Sequence, residues 1–285
     1  MQPIFDVELI LRHKRRALAA ATPGASFLLD RAAEDLAERL STVERRFGKA
    51  AVLFSLTSVV GDVVLASGKA GELVRIEADQ AFLRGEPGIV GSFDRIPLEP
   101  ESIDLAVSLL SLHEVNDLPG ALIQIRRALR PDGLFLGAIA GGGTLAELRE
   151  SLLVAETELY GGASPRVAPF TDVRDAGALL QRAGFALPVA DVEPLTVRYD
   201  SMFELMRDLR AMGAANALIA RSRRPGSRQL FTRAAEIYAE RFSDPDGRVR
   251  ATFSIVWMSG WAPHASQQKP LKPGSGEVSL TKVLK

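Results

Sequence analysis

Five short apolar runs in the first half of the chain, separated by amphipathic stretches, constrain this sequence more than any other feature. They are Ala50 to Phe54, Leu73 to Ile76, Gly88 to Val90, Ile103 to Leu110 and Gly133 to Ala140. Only Arg75, Asp104 and Ser108 interrupt them. A strand with one wet face alternates polar and apolar residues. Near-continuous apolar runs belong to strands covered on both faces, as in a parallel sheet. The stretches between them carry helical periodicity. Leu28, Leu29, Ala32, Ala33, Leu36 and Leu40 line one face over 26–41, and Leu118, Leu122, Ile125 and Leu129 line another over 117–129, with Asp117 as N-cap. A further helix over 172–183 stops at Gly184. Strands alternating with helices predict an α/β, doubly wound sheet.

The second half departs from that rhythm. Strands are predicted over 185–199 and 248–261, with helices over 201–220 and 227–242 between them and the polar gap Arg221 to Arg228 separating those helices. An insertion between two strands of one sheet reads as a helical lid. The organisation is therefore N-terminal helices over 1–45, an α/β core over 46–200, a lid over 201–247, and a last strand with a C-terminal tail over 248–285. Thr144-x-x-Glu147 and Ser201-x-x-Glu204 read as capping boxes opening helices. Pro131-Asp132-Gly133 and Asp244 to Gly247 read as turns. Trp257 and Trp261, four apart on a strand, share a face and read as core. The tail from about Gln267 is polar and contains Pro270 and Pro273, so it is expected to be extended and to wrap the domain or contact a partner.

Composition removes several classes of function. There is no cysteine, hence no disulfide framework, thiolate nucleophile or zinc–cysteine cluster. His13, His113 and His264 are the only histidines, which leaves little for a His-rich metal site. Lys plus Arg and Asp plus Glu both number 35, so no global nucleic-acid footprint is expected. No run of about 18 apolar residues predicts a membrane span. The basic segment Arg12 to Arg16 is followed by too short an apolar stretch for a signal peptide, because Pro23 and Gly24 cut it off. An N-terminal amphipathic helix on an intracellular protein is expected.

In doubly wound sheets ligands sit beyond the carboxyl ends of the strands. Glu77, closing the second strand, is placed to accept two hydroxyl hydrogen bonds from a ribose. The loop after the first strand, Ser55 to Asp62, holds one late glycine, with Val59-Val60 where a cofactor loop needs close backbone approach. That argues against a tightly held dinucleotide or sulfonium cofactor. Ser55 and Thr57 are candidate ligand contacts, although Thr57 and Ser58 also suit capping of the next helix. His113, just past the fourth strand, suits a general base. The basic loop 221–228 reads as solvated, or as a surface for an acidic partner.

Several motifs carry a resemblance. Ile103-Asp104-Leu105-Ala106-Val107-Ser108, Ser111-Leu112-His113, Val115-Asn116-Asp117-Leu118-Pro119 and Leu129-Arg130-Pro131-Asp132-Gly133 resemble the class I S-adenosylmethionine-dependent methyltransferases. Gly141-Gly142-Gly143-Thr144-Leu145, Ser164-Pro165-Arg166-Val167, Met202-Phe203-Glu204-Leu205-Met206 and Gly260-Trp261-x-x-His264 narrow it to the subfamily of a methyltransferase-fold mitochondrial complex I assembly factor. A more distant relative is the malonyl-carrier-protein methyltransferase of biotin synthesis. The resemblance covers nearly the whole chain.

It implies a methyltransferase-like, Rossmann-like sheet and S-adenosylmethionine as cofactor. The contacts it implies are Glu77, Ser55, Thr57, Ser92, Phe93 and Ser108, with His113 as the catalytic candidate. The chain departs from the family in its glycine-poor loop, in Ser92 where an Asp would face the adenine, in Glu114 for a Trp, and in Gly143 for an Asp. Cofactor binding is accordingly expected to be weak or lost. The leading reading is an S-adenosylmethionine-dependent methyltransferase-family protein, with hydroxylation of an arginine on a respiratory complex I subunit and a non-catalytic assembly role as the alternatives. No pair of histidines with a carboxylate suggests a non-haem iron site. The expected location is the cytoplasm in a bacterium and the mitochondrial matrix in a eukaryote.

Overall fold

The computed structural model describes residues 2–268. Two helices, α1 (Val7–Ala20) and α2 (Phe27–Thr42), precede β1 (Phe47–Leu53), α3 (Val59–Ala66), β2 (Ala70–Glu77), the short α4 (Gln80–Leu83) and β3 (Ile89–Val90). The chain continues through β4 (Ile103–Leu109), a single 3-10 turn at Leu112–Glu114, α5 (Leu118–Ala128), β5 (Leu129–Ala140), α6 (Ala146–Tyr160) and α7 (Val173–Arg182). Strand β6 (Ala186–Tyr199), α8 (Met202–Ala211), α9 (Arg228–Phe242) and β7 (Val249–Trp261) complete it. The part of the expected tail beyond 268 lies outside the described residues.

The seven strands form one sheet in the order β3-β2-β1-β4-β5-β7-β6. Strands β1 to β5 pair in parallel, and β7 is antiparallel to both β5 and β6. From β1 the chain winds outward to β3. It then returns to β4 on the other side of β1, so the switch point of the α/β fold lies between β1 and β4.

The apolar runs are buried because both faces of the sheet are covered. One face packs Leu122 and Ile125 of α5 and Leu180 of α7 against Ile103, Phe135 and Val256. The other packs Leu36 and Leu40 of α2 and Val60 and Val64 of α3 against Val52, Leu105 and Trp257. In β4, Ile103, Leu105 and Val107 have no exposed surface, and each such side chain stabilises by about 1.5–3 kcal/mol. Trp257 is buried and Trp261 packs on the same cluster.

Local signals were met where their partners are local. Asp117 caps α5 by accepting from Gly120 N at 2.9 Å, and Asp172 caps α7 by accepting from Asp175 N at 2.8 Å. Three local expectations fail. Thr144 and Glu147 do not form a capping box. The Thr144 hydroxyl exchanges hydrogen bonds with the backbone of Ser254, at 3.0 and 3.2 Å, and the Glu147 carboxylate accepts from Thr252 N and its hydroxyl. Both side chains thus tie α6 to β7, while Leu145 enters the helix at φ 54 without a side-chain cap. The turn expected over 131–133 is a bulge inside β5, with Asp132 at φ 63 and the register slipping between Ile103 and Leu105. The helix expected over 201–220 ends at Ala211. Gly213 there takes φ +76 with Lys14 backbone 3.0 Å from where a Cβ would sit.

Because β7 is antiparallel to both its neighbours, β6 points the same way as β5. Helices α8 and α9 therefore leave and re-enter the sheet at the carboxyl ends of the parallel strands. A third apolar cluster, with Leu205, Leu230, Ile237 and Tyr238, packs these helices against α6 and the start of β7.

Candidate functional site

The carboxyl ends of β1, β4 and β5 open into a cavity of about 650 Å³. Its floor is Phe54 to Thr57, Leu109, Leu110, His113, Glu114 and Ala140, and α1 and α2, the segment 166–170 and residues 206–218 wall it. Of the seven side chains singled out from the sequence, it brings together Ser55, Thr57 and His113. Glu77, Ser92, Phe93 and Ser108 do not line it.

The loop after β1 places Ser55 and Thr57. The backbone adopts left-handed conformations at Phe54 (φ 55) and Leu56 (φ 66), and β4 ends the same way at Leu110 (φ 51). Glycine normally takes such positions, and other residues pay about 1–2 kcal/mol. The glycine-type turn therefore survives without its glycines, and Leu56 adds a side chain to the cavity. Phe54 turns inward and packs on Phe93, with ring centroids 4.8 Å apart. Ser58 makes no capping hydrogen bond, and the Thr57 hydroxyl is buried with no protein partner among the described residues. The alternative in which these two cap α3 is therefore not realised.

Glu77 is at the end of β2 as expected but is 1% exposed. One carboxylate oxygen accepts from Arg75 at 3.1 Å and the other from Leu56 N at 3.2 Å. Arg75, two residues earlier on the same face of β2, also donates to Phe82 O and pairs with Glu86 at 2.5 Å. Burial pushes the Glu77 carboxyl up to about 7, although the Arg75 charge and both hydrogen bonds pull the other way. Ser92 accepts from Arg95 N at 3.1 Å. Ser108 is fully buried and donates to Leu53 O at 2.9 Å, with Ser111 Oγ 3.1 Å away.

His113 sits in the 3-10 turn after β4, beside Phe170. Its Nδ1 accepts from Ala140 N at 3.4 Å. Burial holds its imidazole down at about 4, outweighing the attraction of Glu114. Next to it, Lys14 of α1 pairs with Glu114 at 2.6 Å, both largely buried. Two groups that matter here escaped attention as site residues. Lys14 interrupts the apolar stripe Ile10, Lys14, Ala17 of α1, and Arg75 interrupts an apolar strand on the face of Glu77. A charge at an apolar position was the available signal in both cases. Among the described residues no three His, Asp or Glu side chains converge as a metal site.

A family model described as a methyltransferase domain matches residues 51–137. The human arginine-hydroxylase NDUFAF5, mitochondrial, is 38% identical over 287 residues, which cover 97% of this chain and 82% of the human one. The chain belongs to the NDUFAF5 family. The zebrafish NDUFAF5 protein is 47% identical over 190 residues, or 67% of this chain, and that match spans 59% of the zebrafish protein's length. The malonyl-[acyl-carrier protein] O-methyltransferase of Laribacter hongkongensis is 36% identical over 193 residues, 68% of this chain and 62% of its own. In three dimensions, a presumed methyltransferase of Bacillus halodurans superposes with a TM-score of 0.56 at 13% identity, over 81% of this chain and 98% of its own, which places the fold among the class I methyltransferases.

That fold implies S-adenosylmethionine, and this NDUFAF5-family chain does not fit it in the family's way. The acid that would grip the ribose already accepts from Arg75 and Leu56 N, one hydrogen bond on each oxygen. The residue next to the one that would face the adenine, Phe93, is packed against Phe54. The loop that would approach the ligand as bare backbone carries Leu56.

Proposed function

We propose that this protein is an assembly factor of the NDUFAF5 type that acts on a protein subunit of respiratory complex I and does not use S-adenosylmethionine as a methyl donor. The observation that carries this reading is Glu77. Both its oxygens are engaged inside the protein at the position where the cofactor's ribose would need them. Freeing them would break both hydrogen bonds and leave Arg75 with only Glu86 and Phe82 O, at a cost of about 1–3 kcal/mol. In this reading residues 201–247 serve as the lid over the cavity, and the partner is met at that end of the sheet. Among the described residues no helix is long and apolar enough to cross a membrane. The protein would act in the bacterial cytoplasm, or in the mitochondrial matrix if the source is eukaryotic.

The test is a thermal-unfolding titration with S-adenosylmethionine and S-adenosylhomocysteine to millimolar concentration. A ligand at a hundredfold excess over its dissociation constant adds about 2.7 kcal/mol, an obvious shift. No shift is expected, and a shift with either ligand refutes the proposal. Cross-linked capture from cells is expected to return a complex I subunit. A second reading, hydroxylation of a protein arginine, is favoured by the activity printed in the relatives' name. Mass spectrometry of the captured subunit, with and without the protein present in the cell, decides it by the gain of one oxygen on an arginine.

A further inference from the structure

His113 is locked as a hydrogen-bond donor at the floor of the cavity. The Ala140 amide approaches Nδ1 at 3.4 Å. A backbone N–H can only donate, so Nδ1 is the acceptor nitrogen of a neutral ring and the single ring proton resides on Nε2. Burial disfavours the imidazolium. A histidine in this state has no lone pair to offer a substrate. In this state Nε2 offers a ligand a donor rather than a lone pair.

The ring borders the cavity. Among the described residues Nε2 has no protein partner, and it is not one of the fully buried, unpartnered atoms. The surrounding wall is apolar, with Leu56, Leu109, Leu148, Phe170 and Met206. Of the cationic side chains that line the cavity, Lys14 pairs with Glu114 at 2.6 Å and Arg166 with Glu156 at 2.8 Å, whereas the exposed Arg84 and Arg210 make no ion pair among the described residues. The volume, about 650 Å³, is that of a small-molecule site, which typically combines apolar walls with a few fixed polar groups.

We infer that this cavity binds a largely apolar small molecule whose carbonyl oxygen accepts a hydrogen bond from His113 Nε2–H. The inference deepens the proposed function and rests on the reading that S-adenosylmethionine does not fill this end of the sheet. His113 is here a ligand-binding and specificity residue.

The probes are decan-2-one and 2-methyldec-1-ene, two molecules of the same shape of which only the ketone carries an acceptor. Each is titrated against the full-length protein loaded with the uncharged fluorophore N-phenyl-1-naphthylamine. The ketone is expected to displace the fluorophore at about tenfold lower concentration than the alkene, the worth of one hydrogen bond. The ratio is expected to fall to near one in His113→Phe and to be partly restored in His113→Gln, which keeps an N–H. Nitrogen-15 NMR of the wild type supplies a readout independent of any variant's folding, with protonated Nε2 and unprotonated Nδ1 expected for His113. Equal displacement by the two probes, no displacement by either, a ratio that survives in His113→Phe, or a proton on Nδ1 overturns the inference. Stronger displacement by N-acetyl-trileucine amide than by the ketone also overturns it, by assigning the cavity to a peptide. A thermal shift with S-adenosylmethionine is read separately: it removes the proposed function, whereas the ketone-to-alkene ratio judges His113.

Discussion

Replacing Glu77 with Gln separates a sealed structural carboxylate from a ligand-facing one. Burial raises the folded-state pKa of Glu77 from its ordinary 4.5 to about 7. A folded-state pKa above the unfolded one means that the native protein holds a proton the unfolded chain has released. The associated stability is present in full below pH 4.5 and is lost as the pH rises toward 7. At about 1.4 kcal/mol per pKa unit, wild-type stability should fall by about 2–3 kcal/mol between pH 5 and pH 8 on account of this residue alone. Glutamine does not titrate, but its amide can satisfy only part of the Arg75 and Leu56 N–H set, so a pH-independent cost accompanies the change. The informative quantity is therefore the difference between the two proteins at pH 5 minus the same difference at pH 8. Urea unfolding of both, at those two values and at constant ionic strength, measures it. Glu77→Gln should gain about 2–3 kcal/mol on the wild type in going from pH 5 to pH 8. If the two proteins keep a constant separation, Glu77 titrates as a solvated group, and both its sealing and the argument against a ribose grip fail.

Two further substitutions probe the cavity's construction. Lys14→Met leaves the Glu114 carboxylate, 15% exposed, without its cation, and should cost about 1–3 kcal/mol; adding Glu114→Gln should recover most of it, whereas simple additivity in urea denaturation would show that the pair is not coupled. Leu56→Gly relieves a left-handed backbone worth about 1–2 kcal/mol while losing a half-buried side chain, so it should cost under about 1 kcal/mol. Leu53→Ala, three residues earlier and fully buried, should cost about 2–5 kcal/mol, and equal losses at the two positions would contradict the strain reading.

The α/β class, the seven strands and the amphipathic helices could be read from residue order because their causes are local or periodic. A strand buried on both faces must be apolar throughout, as Ile103 to Leu109 is, and an N-cap such as Asp117 or Asp172 bonds to an amide three residues away. The insertion between β6 and β7 was legible for the same reason, as was the placement of Ser55, Thr57 and His113 at strand ends beside the switch point. What tertiary structure alone decided is where each polar side chain turned for a partner. Thr144 and Glu147 carry the spacing of a capping box, yet they bond to Ser254 and Thr252, more than a hundred residues on, because α6 packs across the start of β7. Glu77 ends the right strand, but Arg75 on the same face donates to its carboxylate at 3.1 Å, a partner that the sequence position alone does not reveal. Phe54 and Leu56 take glycine's backbone conformation without being glycines, a compromise that surrounding packing sustains and that composition cannot announce. His113 Nδ1 accepts from one amide, Ala140 N–H, delivered by the neighbouring strand of the sheet, a partner that residue order does not show.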